Sequence, residues 1–354
     1  MLRISAALRA ALCVLVGLTV AARRAGAQAW DDPRTMALVD RATARRAAQL
    51  ADSALVDYHA TAHGFLTFLA QLGQGFPDPP KVVKADELAL QVYWRAPDLR
   101  KPLLDGRRDT LLLPTDIEYH RDHLGIVQNN FPSIIRLGEG DEMRDVPHPL
   151  SADGLHSYDF AIRDSLQIRM PGETLDVYEV AVRPRDAKQP RMAGAIYIDR
   201  ESAQVVRMAF QFTRAAYLDP ELEDISIVLE NALVDGRFWL PRRQEIEIRR
   251  TGRWLDFPAR GIIRGHWEIC CYRINTSLPV DLLRGPEIIQ APARVTSAYP
   301  WKGRVLDSLP ADVQAATETD VRRVQQEVRG LVAAAALSRA STVGPTAHRI
   351  SDFA

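Results

Sequence analysis

The chain has 354 residues, enough for one large domain or two ordinary ones, and its 47% hydrophobic and 25% charged residues are those of a globular protein. Its 45 basic residues balance 45 acidic ones; beyond the first 29 residues, which hold Arg3, Arg9, Arg23 and Arg24 and no acid, 41 basic face 45 acidic residues, a net charge of −4. That balance lacks the basic field a nucleic-acid partner requires.

Taken in chain order, the first element is a leader. Arg3 and Arg9 precede an apolar run over residues 10–22, and Ala25-Gly26-Ala27 or Ala27-Gln28-Ala29 follows as a cleavage site. The run is shorter than the roughly 20 residues a spanning helix needs. We expect Sec-type export to the periplasm with removal of residues 1–29. Cys13 lies within the run behind Ala11-Leu12, a poor lipobox, so no lipid anchor is expected.

Asp31-Asp32-Pro33 then supplies a cap and a first-turn proline. Met36, Val39, Thr43, Ala47, Leu50 and Ala54 follow at helical spacing, with Arg41, Arg45 and Arg46 off that stripe. From about residue 55 the period becomes two. Leu88, Leu90, Val92 and Trp94 share one face against Glu87, Gln91 and Arg95; Val206, Met208, Phe210 and Phe212 oppose Arg207 and Gln211. Such alternation predicts a sheet with one wet and one buried face. Turn signals stand at Asp105-Gly106, Asp153-Gly154, Pro171-Gly172, residues 184–190 and Asp235-Gly236, the last suited to a type I′ hairpin. Pro241 marks an edge or a bulge. About ten strand-like runs occupy residues 55–275 with no helix-length segment between them, which predicts an antiparallel meander. Residues 276–308 read as a loop-rich linker, 309–340 as a C-terminal helix and 341–354 as a flexible tail.

Cys270 and Cys271 are adjacent, and a strand points neighbours to opposite faces. That excludes a disulfide framework and a zinc site, and leaves them as small buried apolar residues. Tyr119-His120-Arg121-Asp122-His123, with His148 further on, pairs histidine with carboxylate and could bind a divalent metal for hydrolysis. On a strand, however, His120 and Asp122 share a face while His123 points away. His59 and His63 would share a face about 13 Å apart, too far to chelate one ion. No nucleophile elbow, phosphate-cradling loop or acid–base carboxylate pair is present, so neither a catalytic residue nor a cofactor is expected. The apolar faces offer Trp94, Tyr178, Met208, Phe210 and Phe212 either as core or as the lining of a ligand pocket.

Gly194-Ala195-Ile196-Tyr197-Ile198-Asp199 followed by Val205-Val206-Arg207-Met208, and the later Asp235-Gly236-Arg237-Phe238-Trp239-Leu240-Pro241, are similar to paired strands and a hairpin of the LolA-like periplasmic lipoprotein-carrier fold. The resemblance covers about residues 32–275. It implies that the antiparallel meander over residues 30–275 forms an incomplete barrel whose apolar interior holds acyl chains without catalysis; the N-terminal helix belongs to that pattern, and the C-terminal helix read from the residues is additional to it. The partners it implies are a lipid, a lipidated protein or an outer-membrane protein. Residues 97–170 and the C-terminal segment depart from that pattern. The segment beyond residue 309 resembles one that leads into an outer-membrane barrel, which would make the chain a truncated reading frame or a stand-alone relative; an alternative reading is a structural module that docks on such a barrel through a sheet edge or the C-terminal helix.

Overall fold

The helix opened by Asp32 and Pro33 forms as α1 (Pro33–Leu50) in the computed structural model, which describes residues 29–72, 75, 80–97, 99–111, 131–137, 142–170, 172–254, 257–285, 289–305, 309 and 330. Asp32 Oδ1 accepts the backbone N–H groups of Arg34 at 3.0 Å and Thr35 at 3.1 Å, two donors that a helix start leaves open. The buried stripe is Thr35, Leu38, Val39, Ala42 and Arg46. It is rotated from the expected one: Ala47 and Leu50 face outward, and Arg46 is buried rather than wet. Hydropathy missed Arg46 because its guanidinium is satisfied by backbone, donating to the carbonyl oxygens of Leu150 at 3.3 Å and of Phe131.

Among the described residues the strands are β1 (Asp57–Leu72), β2 (Lys81–Arg95), β3 (Leu99–Leu111), β4 (Ile134–Ile135), β5 (Val146–Pro147), β6 (Tyr158–Met170), β7 (Glu173–Pro184), β8 (Met192–Asp199), β9 (Val205–Phe212), β10 (Leu222–Val234), β11 (Phe238–Trp254), β12 (Phe257–Ile274) and β13 (Ile289–Gln290). The further helices α2 (Ala152–Ser157) and α3 (Ala293–Thr296) are short. One sheet runs in the order β13-β3-β2-β1-β12-β11-β10-β9-β8-β7-β6, while β4 and β5 pair separately. Its ten long strands are antiparallel neighbours, and only the two-residue β13 lies parallel, against β3. The edges β13 and β6 do not meet, so the sheet is open, as expected of a mainly β meander not closed into a barrel.

Register carries one row of side chains across the sheet: Leu88, Gly64, Trp267, Gln244, Leu229, Met208, Ile196, Val180 and Ile162. This face bears α1. Leu38, Val39 and Ala42 of α1 join Ile135, Val146 and Leu150 over the β6–β11 half, where Val180, Ile196, Phe210, Phe212 and Ile227 are buried. A second patch on the β1, β2 and β12 half gathers Tyr58, Phe68, Leu88, Trp94 and Trp267.

The opposite face corrects the expectation of a wet surface. Along it runs His63, Glu268, Arg243, Glu230, Arg207, Tyr197 and Glu179, alternating in charge from strand to strand. Next to that row, Glu245 and Glu247 are 1% exposed. Glu247 accepts from Arg264 Nε at 2.7 Å and Arg249 Nε at 2.6 Å. Burial pushes the Glu245 carboxyl up, but the hydrogen bond to His266 and the nearby Arg243 outweigh it and hold it below its ordinary value. Charged residues at alternate positions look solvated in a sequence; here cross-strand pairing lets them be buried.

The turns divide similarly. Asp235 and Gly236 take φ of 51° and 66°, as the two centres of a type I′ turn require. Pro241 sits beside a bulge between β10 and β11. Asp153-Gly154 falls instead within α2, capped by Ser151, and Asp105-Gly106 lies inside β3 at a bulge. A Cβ at Gly106 would stand 2.6 Å from the Tyr299 ring, so glycine there admits the aromatic pair Tyr299 and Trp301 onto the sheet. The chain after β12 is tied back to the sheet at both ends of its described part: Asp57 accepts the N–H of Thr276 at 2.7 Å and of Leu278 at 3.1 Å, and the Arg108 guanidinium lies 4.9 Å from the Trp301 ring.

Candidate functional site

The C-terminal half of α1 crosses β9 and β10 without closing on them completely. Arg46 and Gln49 of α1, His148, Gln204 from the β8–β9 turn, Val205 and Met208 of β9, and Leu229 and Asn231 of β10 enclose a cavity of about 20 Å³. That is room for about one water molecule. Its floor is apolar and its rim polar, because Met208 and Leu229 share the helix-bearing row.

His148 is 1% exposed, held by its backbone N–H on Ser133 O at 2.9 Å. Its Nδ1 accepts the N–H of Leu150 at 3.1 Å, so the neutral ring carries its proton on Nε2. That Nε2 has no hydrogen-bond partner among the described residues. Burial, reinforced by the positive charge of Arg46, holds the ring well below its usual 6.5 and keeps it neutral. Burial likewise pushes Arg46 down to about 10. Among the described residues the cavity lining thus includes a cationic side chain, Arg46, and a neutral imidazole with one donor unspent, and no carboxylate. Such a pair suits an anionic or carbonyl oxygen at the head of an apolar ligand.

Two of the residues singled out from sequence, Met208 and His148, meet at this cavity. Phe210 and Phe212 lie further along β9 in the adjoining core, edge to face with centroids 5.5 Å apart. Trp94 is remote, in the second patch, stacked 5.4 Å from Tyr58. Tyr178 is half-buried near the start of α1, its hydroxyl accepting from Arg34 at 2.8 Å; that bond and Arg200 hold the phenol below its ordinary value. His120, Asp122 and His123 lie outside the described residues, as do residues 1–28 and nearly all of 309–354. Among the described residues no three His, Cys, Asp or Glu side chains converge to hold a metal. His59 and His63 turn instead to Gln91 and Glu87. Arg46, Gln49, Gln204 and Asn231 were missed. Arg46 had a legible signal, since it continues the helical stripe of Val39 and Ala42 by one turn.

The cysteines are also corrected. Both are exposed, and their sulfurs lie 2.7 Å apart on one side of β12. Cys271 has φ of 60° at a bulge opposite the step from His59 to Thr61, which cancels the alternation expected of neighbouring strand residues.

No family model matches the chain, and no curated protein does. Among solved structures it is similar to an outer membrane lipoprotein-sorting protein domain from Vibrio parahaemolyticus, with 13% identity over 71% of this chain and 99% of that one and a TM-score of 0.27. It is also similar to lipovitellin, with 9% identity over 81% of this chain and 35% of that one and a TM-score of 0.30. A third likeness is to the MucA/MucB complex of Pseudomonas aeruginosa, with 11% identity over 67% of this chain and 98% of the matched one and a TM-score of 0.19. At these TM-scores the fold stands on the strand register described above.

Proposed function

We propose that the chain is an exported, periplasmic, non-catalytic domain that binds an acyl-chain ligand, a lipid or the acyl group of a lipidated protein, beneath α1. The observation that supports this most directly is the cavity that Met208, Leu229 and Val205 line together with His148 and Arg46. An amphiphile has the matching halves, an apolar chain and an oxygen-bearing head.

A cavity of about 20 Å³ admits an acyl chain only when α1 lifts. The helix is suited to that, because it buries few residues of its 18 and its C-terminal end is tied mainly by polar contacts such as Gln49 to Gln204. The loop after α1 is held to the β10–β11 hairpin by the Asp52–Arg237 ion pair at 3.0 Å. Leu50 at the end of α1 and Leu233 at the end of β10 are exposed apolar residues beyond this end of the cavity. With α1 displaced, Phe210 and Phe212 would extend the lining.

Native mass spectrometry of residues 30–354, purified gently from a periplasm, tests the reading. Added mass matching a fatty acid or phospholipid is expected. A bare polypeptide mass, unchanged after incubation with fatty-acid-loaded vesicles, would sink it.

A further inference from the structure

We propose that Cys270 and Cys271 form a thiol–disulfide exchange site that closes to a vicinal disulfide. Three observations on β12 carry this. The sulfurs are 2.7 Å apart, within reach of a bond between them after a small adjustment, and both residues are exposed. Cys271 occupies the left-handed region at φ 60°, the place in a bulge that glycine ordinarily takes, and a cysteine is held there at a conformational cost. The bulge also reshapes the surroundings: Tyr272 turns to the other side, its hydroxyl donating to Pro241 O and its ring edge-on to Tyr58 at 5.2 Å. With Tyr272 anchored in the core, the extra residue of the bulge is what lets both sulfurs emerge together.

The two thiols are unequal. Hydrogen bonds from Cys270 and Thr61 hold Cys271 below its ordinary value, whereas burial and the same neighbouring thiol push Cys270 up. Cys271 is thus the thiolate that attacks. It displaces one thiolate from an external disulfide, such as oxidised glutathione, and forms a mixed disulfide. Cys270 then loses its proton to water and attacks Cys271 Sγ, expelling the second thiolate. The pair is oxidised by two electrons and the donor disulfide is reduced to two thiols, so the exchange balances. The ring contains only the two side chains and the peptide between them. It closes no chain loop and contributes little through unfolded-state entropy. Strained and exposed disulfides are the readily reduced ones, so the bond serves exchange rather than stapling.

To test this, the purified chain is equilibrated with graded ratios of reduced and oxidised glutathione, trapped with N-ethylmaleimide and digested with trypsin. The expected product is peptide 265–273 lighter by two hydrogens, free of maleimide and glutathione, and restored to two alkylated thiols by dithiothreitol. In Cys270→Ser the mixed disulfide should persist on Cys271, because its resolving partner is gone. Double alkylation at every ratio, a persistent glutathione adduct on the unmodified pair, or a covalent dimer would each overturn the proposal.

Discussion

Arg46 is the residue whose replacement best separates a structural role from a binding one. Burial pushes its guanidinium to about 10 from 12.5, a desolvation penalty of about 3 kcal/mol at about 1.4 kcal/mol per pH unit. Arg46→Met removes that penalty but withdraws the donor from the carbonyl oxygens of Leu150 and Phe131, at about 1–3 kcal/mol each. The opposing terms leave a net destabilisation of no more than about 2–3 kcal/mol, which a protein of ordinary stability tolerates. Ligand binding has no such offset. A charge-assisted hydrogen bond contributes about 1.5–3 kcal/mol, so affinity for a fatty acid should fall about tenfold to a hundredfold. Urea unfolding followed by tryptophan fluorescence, run beside displacement of a fluorescent fatty acid, reads both quantities. If Arg46→Met holds its urea midpoint and binds fatty acid as the unmodified chain does, the placement of the ligand head at Arg46 is refuted.

His148 makes a prediction about pH. Its folded value lies well below the unfolded 6.5, so on acidification the unfolded chain takes up a proton that the folded chain refuses. Stability should therefore decline as pH falls below about 6.5, by up to about 1.4 kcal/mol per pH unit, until the folded ring titrates. His148→Gln should flatten that part of the urea midpoint against pH, and equal slopes would contradict the assignment. Asp86, pushed up by burial, acts in the opposite sense nearer the carboxylate range and is common to both chains. Gly106→Ala should dislodge Tyr299 and Trp301 while leaving the sheet folded, because its new Cβ would stand 2.6 Å from the Tyr299 ring; trypsin should then cut faster after Arg294, Lys302 and Arg304. On the opposite face, Glu247→Ala leaves Arg264 and Arg249 without this carboxylate and should cost about 3–5 kcal/mol in denaturant unfolding. Replacing Glu247 and Arg264 together by methionine should recover most of that loss, and a double variant as unstable as the single one would count against a paired, buried ladder.

Local chemistry made much of the architecture legible from sequence. Asp32 and Pro33 start α1 through interactions within four residues, Asp235-Gly236 specifies its turn through backbone freedom, and the period-two runs mark their strands. Each of these depends on neighbours along the chain, so each was readable without a partner. The other outcomes depend on register and on what a side chain meets across the sheet. Glu230 comes to lie between Arg243 and Arg207, and Glu247 beside Arg264, only because β12, β11, β10 and β9 pair in that order. Met208 and His148 were named for different reasons, as apolar lining and as metal ligand, and α1 brings them to one cavity with an arginine whose hydropathy pointed outward. The cysteines show the same division. Alternation along β12 separates their side chains, but a bulge forced by pairing with β1 turns them to one side. Sequence determined where α1 starts, which runs become strands and where the Asp235-Gly236 hairpin turns, since that physics is short-ranged; tertiary pairing decided which polar groups lost water and which turn signals were absorbed into helix or strand, because both are set by neighbours distant in the chain.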